Sequence, residues 1–224
     1  ANLTALTIGY LLTHLMPAEW ASAAGIGAIL LAIAAGLAVA GLIGLLNGFI
    51  IAYVGVSPIL ATLGTMTMVK GISIGLTHGN VISGFPEPIL FIGNGVVLGV
   101  PMAVIVFALC AAPLALLLNR TPFGIAIYMI GSNERSTRFS GIDTRRVLLG
   151  VYVLSSLLCG IAALVMMSRF NSANAAYGES YLLITILAAV LGGVDPFGGF
   201  GRVMGLVLAL MTWRSLTHEG FSTA

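Results

Sequence analysis

The sequence predicts an all-α fold, a polytopic transmembrane helical bundle, and three observations carry that prediction. Hydrophobic residues make up 59% of the 224 and charged residues only 7%, with a mean hydropathy of +1.11. A soluble domain of this length needs far more polar surface. Several uncharged apolar runs approach the roughly 20 residues a helix needs to cross a bilayer. Those runs do not alternate as the ten-residue strands of a membrane β-barrel do. Lipid is the solvent for most of this chain, and 1–224 is expected to form a single transmembrane domain.

The helices follow from hydropathy and breakers. A first run, 3–16, stops at Pro17 and Glu19. The second, 21–53, is closed by Gly55-Val56-Ser57-Pro58, and the third, 58–77, by His78-Gly79-Asn80. Residues 80–98, with Pro86, Glu87 and Pro88, predict short interfacial structure. A span over 99–118 carries Pro113 as a kink. After a charged loop, 119–146, come 147–168, a polar stretch 169–180, a short run 181–194 and a last run 203–217. The 14 residues of 181–194 give about 21 Å of helix, short of the ~30 Å hydrocarbon core, so either a re-entrant half-helix or a short crossing fits them.

Within the long second run Ala24, Ala28, Ala32, Gly36, Ala40, Gly44 and Gly48 recur every four residues. Such a ridge lets helix backbones approach closely in lipid, where packing drives association. Helix packing is the favoured reading over pore lining. Four residues overshoot one turn, so the ridge drifts and is expected to serve more than one neighbour.

Charge sets the orientation. Five of the nine basic residues, Arg120, Arg135, Arg138, Arg145 and Arg146, fall in the one loop 119–146, opposed only by Glu134 and Asp143. The positive-inside rule makes that loop cytoplasmic. It follows that 172–178 and 80–98 face outward and Val54–Ser57 inward. The net charge of +2 is too small to suggest nucleic acid as a partner.

No enzyme motif survives inspection, and no catalytic, cofactor or metal residue is expected. His14, His78 and His218 lie in separate segments without ligand spacing. Cys110 and Cys159 each sit alone in apolar runs and read as small buried hydrophobes. The glycine-rich GGVDPFGGFGR, 192–202, lacks the Gly-Lys-Ser/Thr of a phosphate loop and reads as a tight, backbone-dominated turn. No carboxylate pair occupies one apolar segment, which argues against a proton-relay pump. Lys70, in the middle of 58–77, is the most informative intramembrane charge: it either snorkels to a helix-end carbonyl or contacts a substrate. The polar stretch with Phe170, Asn171, Asn174 and Tyr177 combines amides and an aromatic face suited to a polyol, and also suits an ordinary solvated loop.

The charged loop is punctuated rather than loose. Pro122 and Gly124 break the chain, Phe123–Ile130 predicts a short amphipathic helix, and Gly131-Ser132-Asn133 predicts a turn. Ser132 or Asn133 then caps a second short helix, Glu134–Phe139, with Glu134 near its positive end. Ser140-Gly141 ends it, and Asp143 or Thr144 starts the next span. Gly131 and Gly141 are both expected where the backbone needs a positive φ.

In order along the chain, Asn47-Gly48, Pro58-Ile59-Leu60-Ala61-Thr62-Leu63-Gly64-Thr65 and Gly71 resemble the sugar permeases of bacterial ABC importers. These are the ribose, galactose, xylose and autoinducer-2 type. So do Thr121-Pro122-Phe123-Gly124 with Ile130-Gly131-Ser132-Asn133 and Ser140-Gly141-Ile142, and Ala188-Ala189-Val190-Leu191-Gly192-Gly193 with Gly198-Gly199 and Gly201-Arg202. The resemblance implies a type II-like ABC importer permease, multi-pass in the bacterial inner membrane. Its partners would be two cytoplasmic ATPase subunits, a second permease copy or a paralogue, and a periplasmic sugar-binding protein. It implies that Gly131, Ser132, Asn133, Glu134, Arg135, Arg138, Ser140 and Gly141 form the ATPase-coupling segment. The translocation path is assigned to Asn47, Lys70, Phe170, Asn171, Asn174 and Tyr177. The family's acidic-Leu-Ser-Val-Gly block and its last outer loop and helix are missing, so a permease lacking both ends is expected. A secondary transporter or channel-like protein working without an ATPase is the alternative.

Overall fold

The computed structural model of the protein describes residues 2–15, 24–97, 99–178, 181–195, 198–201, 203–209 and 212. The break at Pro17 and Glu19, the side chains of His14 and His218, Arg202 and most of the run after residue 209 lie outside the described residues. The chain divides into two compact units, 1–108 with 148–178, and 109–147 with 179–224.

The first unit opens with α1 (Asn2–Leu15) and α2 (Ala24–Phe49), which continues as a π-helical turn, Ile50–Val54. Next come α3 (Pro58–Thr77), β1 (Ile82–Ser83), α4 (Glu87–Asn94), β2 (Val96–Val97) and β3 (Val100–Pro101). The unit also takes the beginning of α5 (Met102–Arg120), most of α7 (Thr144–Phe170) and β4 (Ser172–Ala173). Among the described residues four helices are long and apolar enough to cross a membrane: Gly27–Val54, Pro58–Thr77, Met102–Arg120 and Thr144–Phe170. The two-residue strands only tie connections together and leave the fold all-α.

Local chemistry fixes the ends of α3. Ser57 is extended and Pro58 occupies the first turn, where its missing N–H costs nothing. At the other end His78 (φ 51°) and Gly79 (φ 77°) turn left-handed, and both amides donate to Ile74 O. Along the helix the hydroxyls of Thr62, Ser73 and Thr77 donate to the carbonyls of Pro58, Val69 and Ser73. Each hydroxyl is thereby satisfied without water, as lipid requires.

The small-residue ridge of α2 is a packing surface, and it serves two neighbours. A Cβ on Gly36 would fall against the Ile8 side chain of α1, 2.7 Å from Cδ1. Farther along, one on Gly44 would lie 2.7 Å from Tyr152 O, and one on Gly48 3.1 Å from Leu149 Cα, both in α7. Gly160 of α7 reciprocates, its added Cβ lying 3.1 Å from the Ala40 methyl. Ala32, Gly36, Ala40, Gly44 and Gly48 are all buried. The drift of a four-residue repeat hands the ridge from α1 to α7.

Helix α1 packs into the core of this unit, where Leu6, Ile8 and Leu12 join Phe85, Ile89 and Met167. The amide of Asn2 donates to Ala175 O and accepts from Gly178 N. The segments after α3 and after α7, assigned to one side by charge, are hydrogen-bonded to one another: β1 pairs antiparallel with β4, Ile82 opposite Ala173.

In the second unit α5 gives way at Thr121 to α6 (Pro122–Phe139), and α8 (Leu182–Leu191) is followed by a helical segment, 203–209. Pro113 lies inside α5, where its ring removes the amide that would donate one turn back. Helix α8 has ten residues, about 15 Å, half a bilayer core.

Candidate coupling site and translocation path

The candidate coupling segment is built by its turns. At its start the Thr121 hydroxyl oxygen accepts from Gly124 N at 3.3 Å and Pro122 opens the helix. Gly124 is needed for space: a Cβ there would collide with the carbonyls of Leu117 and Leu118. The first half of α6 then runs without interruption through Gly131 and Ser132.

Here the structure corrects the sequence reading. Gly131 is helical and does not turn; the break falls at Asn133 (φ −160°, ψ 102°). Asparagine competes for its own backbone, and Asn133 Oδ1 accepts from Ser136 N at 3.0 Å, capping the second short helix. Gly131 is needed for space instead. A Cβ there would fall on Gly199 N, 2.9 Å from Gly199 Cα, so the missing side chain admits the backbone of Gly198 and Gly199.

The second helix, 134–139, is held by the buried Thr137, whose hydroxyl donates to Asn133 O at 2.8 Å. It ends where Ser140 N donates to Ser136 O and Gly141 N to Arg138 O. Gly141 has φ +81° with nothing near its missing Cβ, so its conformation, not its size, is what the turn needs. Asp143 opens α7, accepting from Arg146 N at 3.4 Å and pairing with the Arg146 guanidinium at 2.8 Å.

Ser132, Glu134, Arg135, Arg138 and Ser140 are exposed, and Phe139, at the end of the same short helix, is 92% exposed. The sequence reading used Phe139 only as a helix boundary. An aromatic residue between Arg138 and Ser140 in the least apolar stretch of the chain was the signal available for it.

The residues assigned to the path are in the first unit. Asn47 Oδ1 accepts from the Thr65 hydroxyl at 2.7 Å, joining α2 to α3. Lys70 is half-buried in α3. Asn171, itself left-handed (φ 48°), accepts Phe85 N on Oδ1 at 3.0 Å, and Asn174 Oδ1 accepts from Ala176 N at 3.0 Å. The rings of Phe170 and Tyr177 meet at 5.6 Å, tilted by 55°, and the Tyr177 hydroxyl lies 3.1 Å from Ser172 Oγ. Beneath them the buried Ser168 accepts from Gly93 N at 2.7 Å and donates to Ile89 O, fastening α4 to α7. The structure thus gathers Phe170, Asn171, Asn174 and Tyr177 into one folded connection. Asn47 is separately engaged between α2 and α3.

Fold and site together define a multi-pass α-helical membrane protein whose polar connections are folded rather than loose. A profile of the branched-chain amino acid transport system / permease component family matches residues 2–218. The chain belongs to that family of transport permeases, and is a multi-pass protein of the bacterial inner membrane. Among similar proteins, the ribose import permease protein RbsC of Bacillus subtilis is 39% identical over 174 residues, covering 77% of this chain and 54% of the relative. The autoinducer 2 import system permease protein LsrD of Yersinia enterocolitica is 36% identical over 181 residues, covering 78% and 55%. The LsrD of Salmonella typhi is 36% identical over 216 residues, covering 94% and 62%. The chain therefore spans between 54% and 62% of these curated relatives. The kinship expected from the sequence blocks is the one found. No solved structure matches the chain.

Proposed function

We propose that this chain is the membrane-spanning subunit of an ATP-driven importer that carries a monosaccharide or similar polyol across the inner membrane. The observation that carries this reading is the short helix 134–139. It is capped at both ends, and it presents Glu134, Arg135, Arg138 and Phe139 outward from a chain otherwise made for lipid. A solvated linker has no need of an exposed aromatic beside two arginines. Such a projection suits a cleft on a cytoplasmic ATPase, with Phe139 as the apolar anchor and the arginines as its polar rim. Two ATPase subunits, a second permease copy or paralogue, and a periplasmic sugar-binding protein complete the assembly. The relatives' printed names, ribose and autoinducer 2 importers, support the substrate class.

The path is the less constrained part of the proposal. The carbonyl ends of Asn171 and Asn174 hold backbone amides. A sugar passing this stretch would therefore meet chiefly the Phe170 and Tyr177 rings. Lys70 and Asn47 are its candidate contacts within the spans.

Uptake into liposomes, with ATP hydrolysis measured in the presence of the ATPase and binding protein, tests the reading. Substrate is expected to stimulate hydrolysis, and alanine at Glu134, Arg135 and Arg138 together is expected to remove ATPase association and transport. Intact association and transport in that variant would sink the coupling role. Uptake without any ATPase would replace it with a secondary transporter or channel-like protein.

A further inference from the structure

The glycine-rich turn after α8, which resembles no phosphate loop, is built against the coupling segment. Within the second unit the Tyr128 hydroxyl of α6 donates to Gly201 O at 2.8 Å. One helical turn farther along α6, Gly131 has no room for a Cβ against Gly199, and one on Gly198 or Gly199 would sit tightly, 3.1 Å from Gly131 Cα or 3.0 Å from Ser132 N. Gly198 (φ +100°) and Gly199 (φ +83°) adopt conformations that side chains rarely take. The turn closes on itself through Asp195 N to Phe200 O and Gly198 N to Asp195 O, both 3.0 Å. It is equally tied to the helices it joins. Gly192 N and Val194 N donate to the carbonyls of Ala188 and Ala189 in α8. A Cβ on Gly192 would lie 2.8 Å from Leu206 Cα in the segment 203–209.

We infer that the turn residues 192–195 and 198–201 are a transmitting element of the coupling device, with Tyr128 as the positioning residue that makes them move with α6. The inference rests on the proposed docking of 134–139. Backbone packed on backbone has no rotamers to absorb a displacement, so a push on α6 reaches Gly198–Gly201 as a translation. The bonded frame of the turn passes it to α8 and to 203–209. In this arrangement an ATPase stroke is delivered to four helical elements, α5, α7, α8 and 203–209, rather than to the two that flank the charged loop in sequence.

The test uses the full chain reconstituted with its ATPase and sugar-binding protein, reading sugar moved per ATP hydrolysed. Tyr128→Phe removes one hydroxyl and no packing volume. It is expected to keep ATPase association and hydrolysis but lower sugar moved per ATP by about two- to tenfold, the range of one lost hydrogen bond. Hydrogen exchange of the 198–201 amides should rise in the same variant. Gly199→Ala, which forces the seam apart, should uncouple more severely with association retained. Unchanged stoichiometry and exchange in Tyr128→Phe would overturn the inference. The coupling reading itself fails separately, if Arg138→Ala with Phe139→Asp keeps both association and transport.

Discussion

Residues 168–178 and residues 131–146 are both polar interruptions in an apolar chain, and the molecule uses them in opposite ways. In 168–178 the side chains turn back on the protein: Ser168 is buried between Gly93 N and Ile89 O, Asn171 holds Phe85 N, and Asn174 caps its own turn. In 131–146 Asn133, Thr137, Ser140 and Asp143 bond the backbone, while Glu134, Arg135, Arg138 and Phe139 project. A polar stretch whose groups are consumed by its own fold is architecture. One that is equally well folded but leaves its charges and an aromatic outward is available to a partner. Polarity alone does not separate the two; the accounting of hydrogen-bond partners does.

The comparison can be broken or sharpened by substitution. The largest effect is expected from Gly131→Val, where a branched side chain must enter a backbone seam. Overpacking of about 1–3 kcal/mol is expected with transport lost, checked by liposome uptake beside thermal unfolding in detergent. Wild-type uptake would show that the seam opens freely. Next is Ser168→Ala, which leaves Gly93 N–H buried without its acceptor, at a cost of about 1–3 kcal/mol. Its unfolding midpoint should fall while ATPase association is preserved; loss of association without loss of stability would erase the distinction between the two regions. The smallest effect belongs to Thr65→Val. It removes the bond to Asn47 and should lower stability by about 0.6 kcal/mol, a typical interhelical hydrogen bond in a membrane, read from the same melts.

Much of the fold was legible because its signals are local. Ser57-Pro58 and His78-Gly79 bracket α3 at the residues where the structure starts and stops it. The four-residue ridge of α2 could be read as a packing surface, and its drift as two neighbours, from helix geometry alone. What escaped depends on distant partners. The first run reads only as an apolar stretch; that it packs in the core, with Asn2 bonded to Ala175 and Gly178, is announced by no local pattern. Gly131 and Gly141 look alike in sequence. One is required by φ, the other by a backbone more than sixty residues away, and no local pattern carries that difference. Asn133, not the glycine, breaks the helix because a side chain that can cap itself gains more from leaving the helix than glycine does. Phe139 was overlooked because hydropathy counts an aromatic as interior unless its exposure is seen.

The central claim is that the exposed end of 134–139 is a docking surface and not a solvated corner. Co-purification of the ATPase subunits with the full chain carrying Phe139→Asp tests it most directly, since a side chain 92% exposed carries little of the fold. The account predicts that the ATPase is lost while the unfolding midpoint of the permease is unchanged. An ATPase that co-purifies at the wild-type ratio would contradict it.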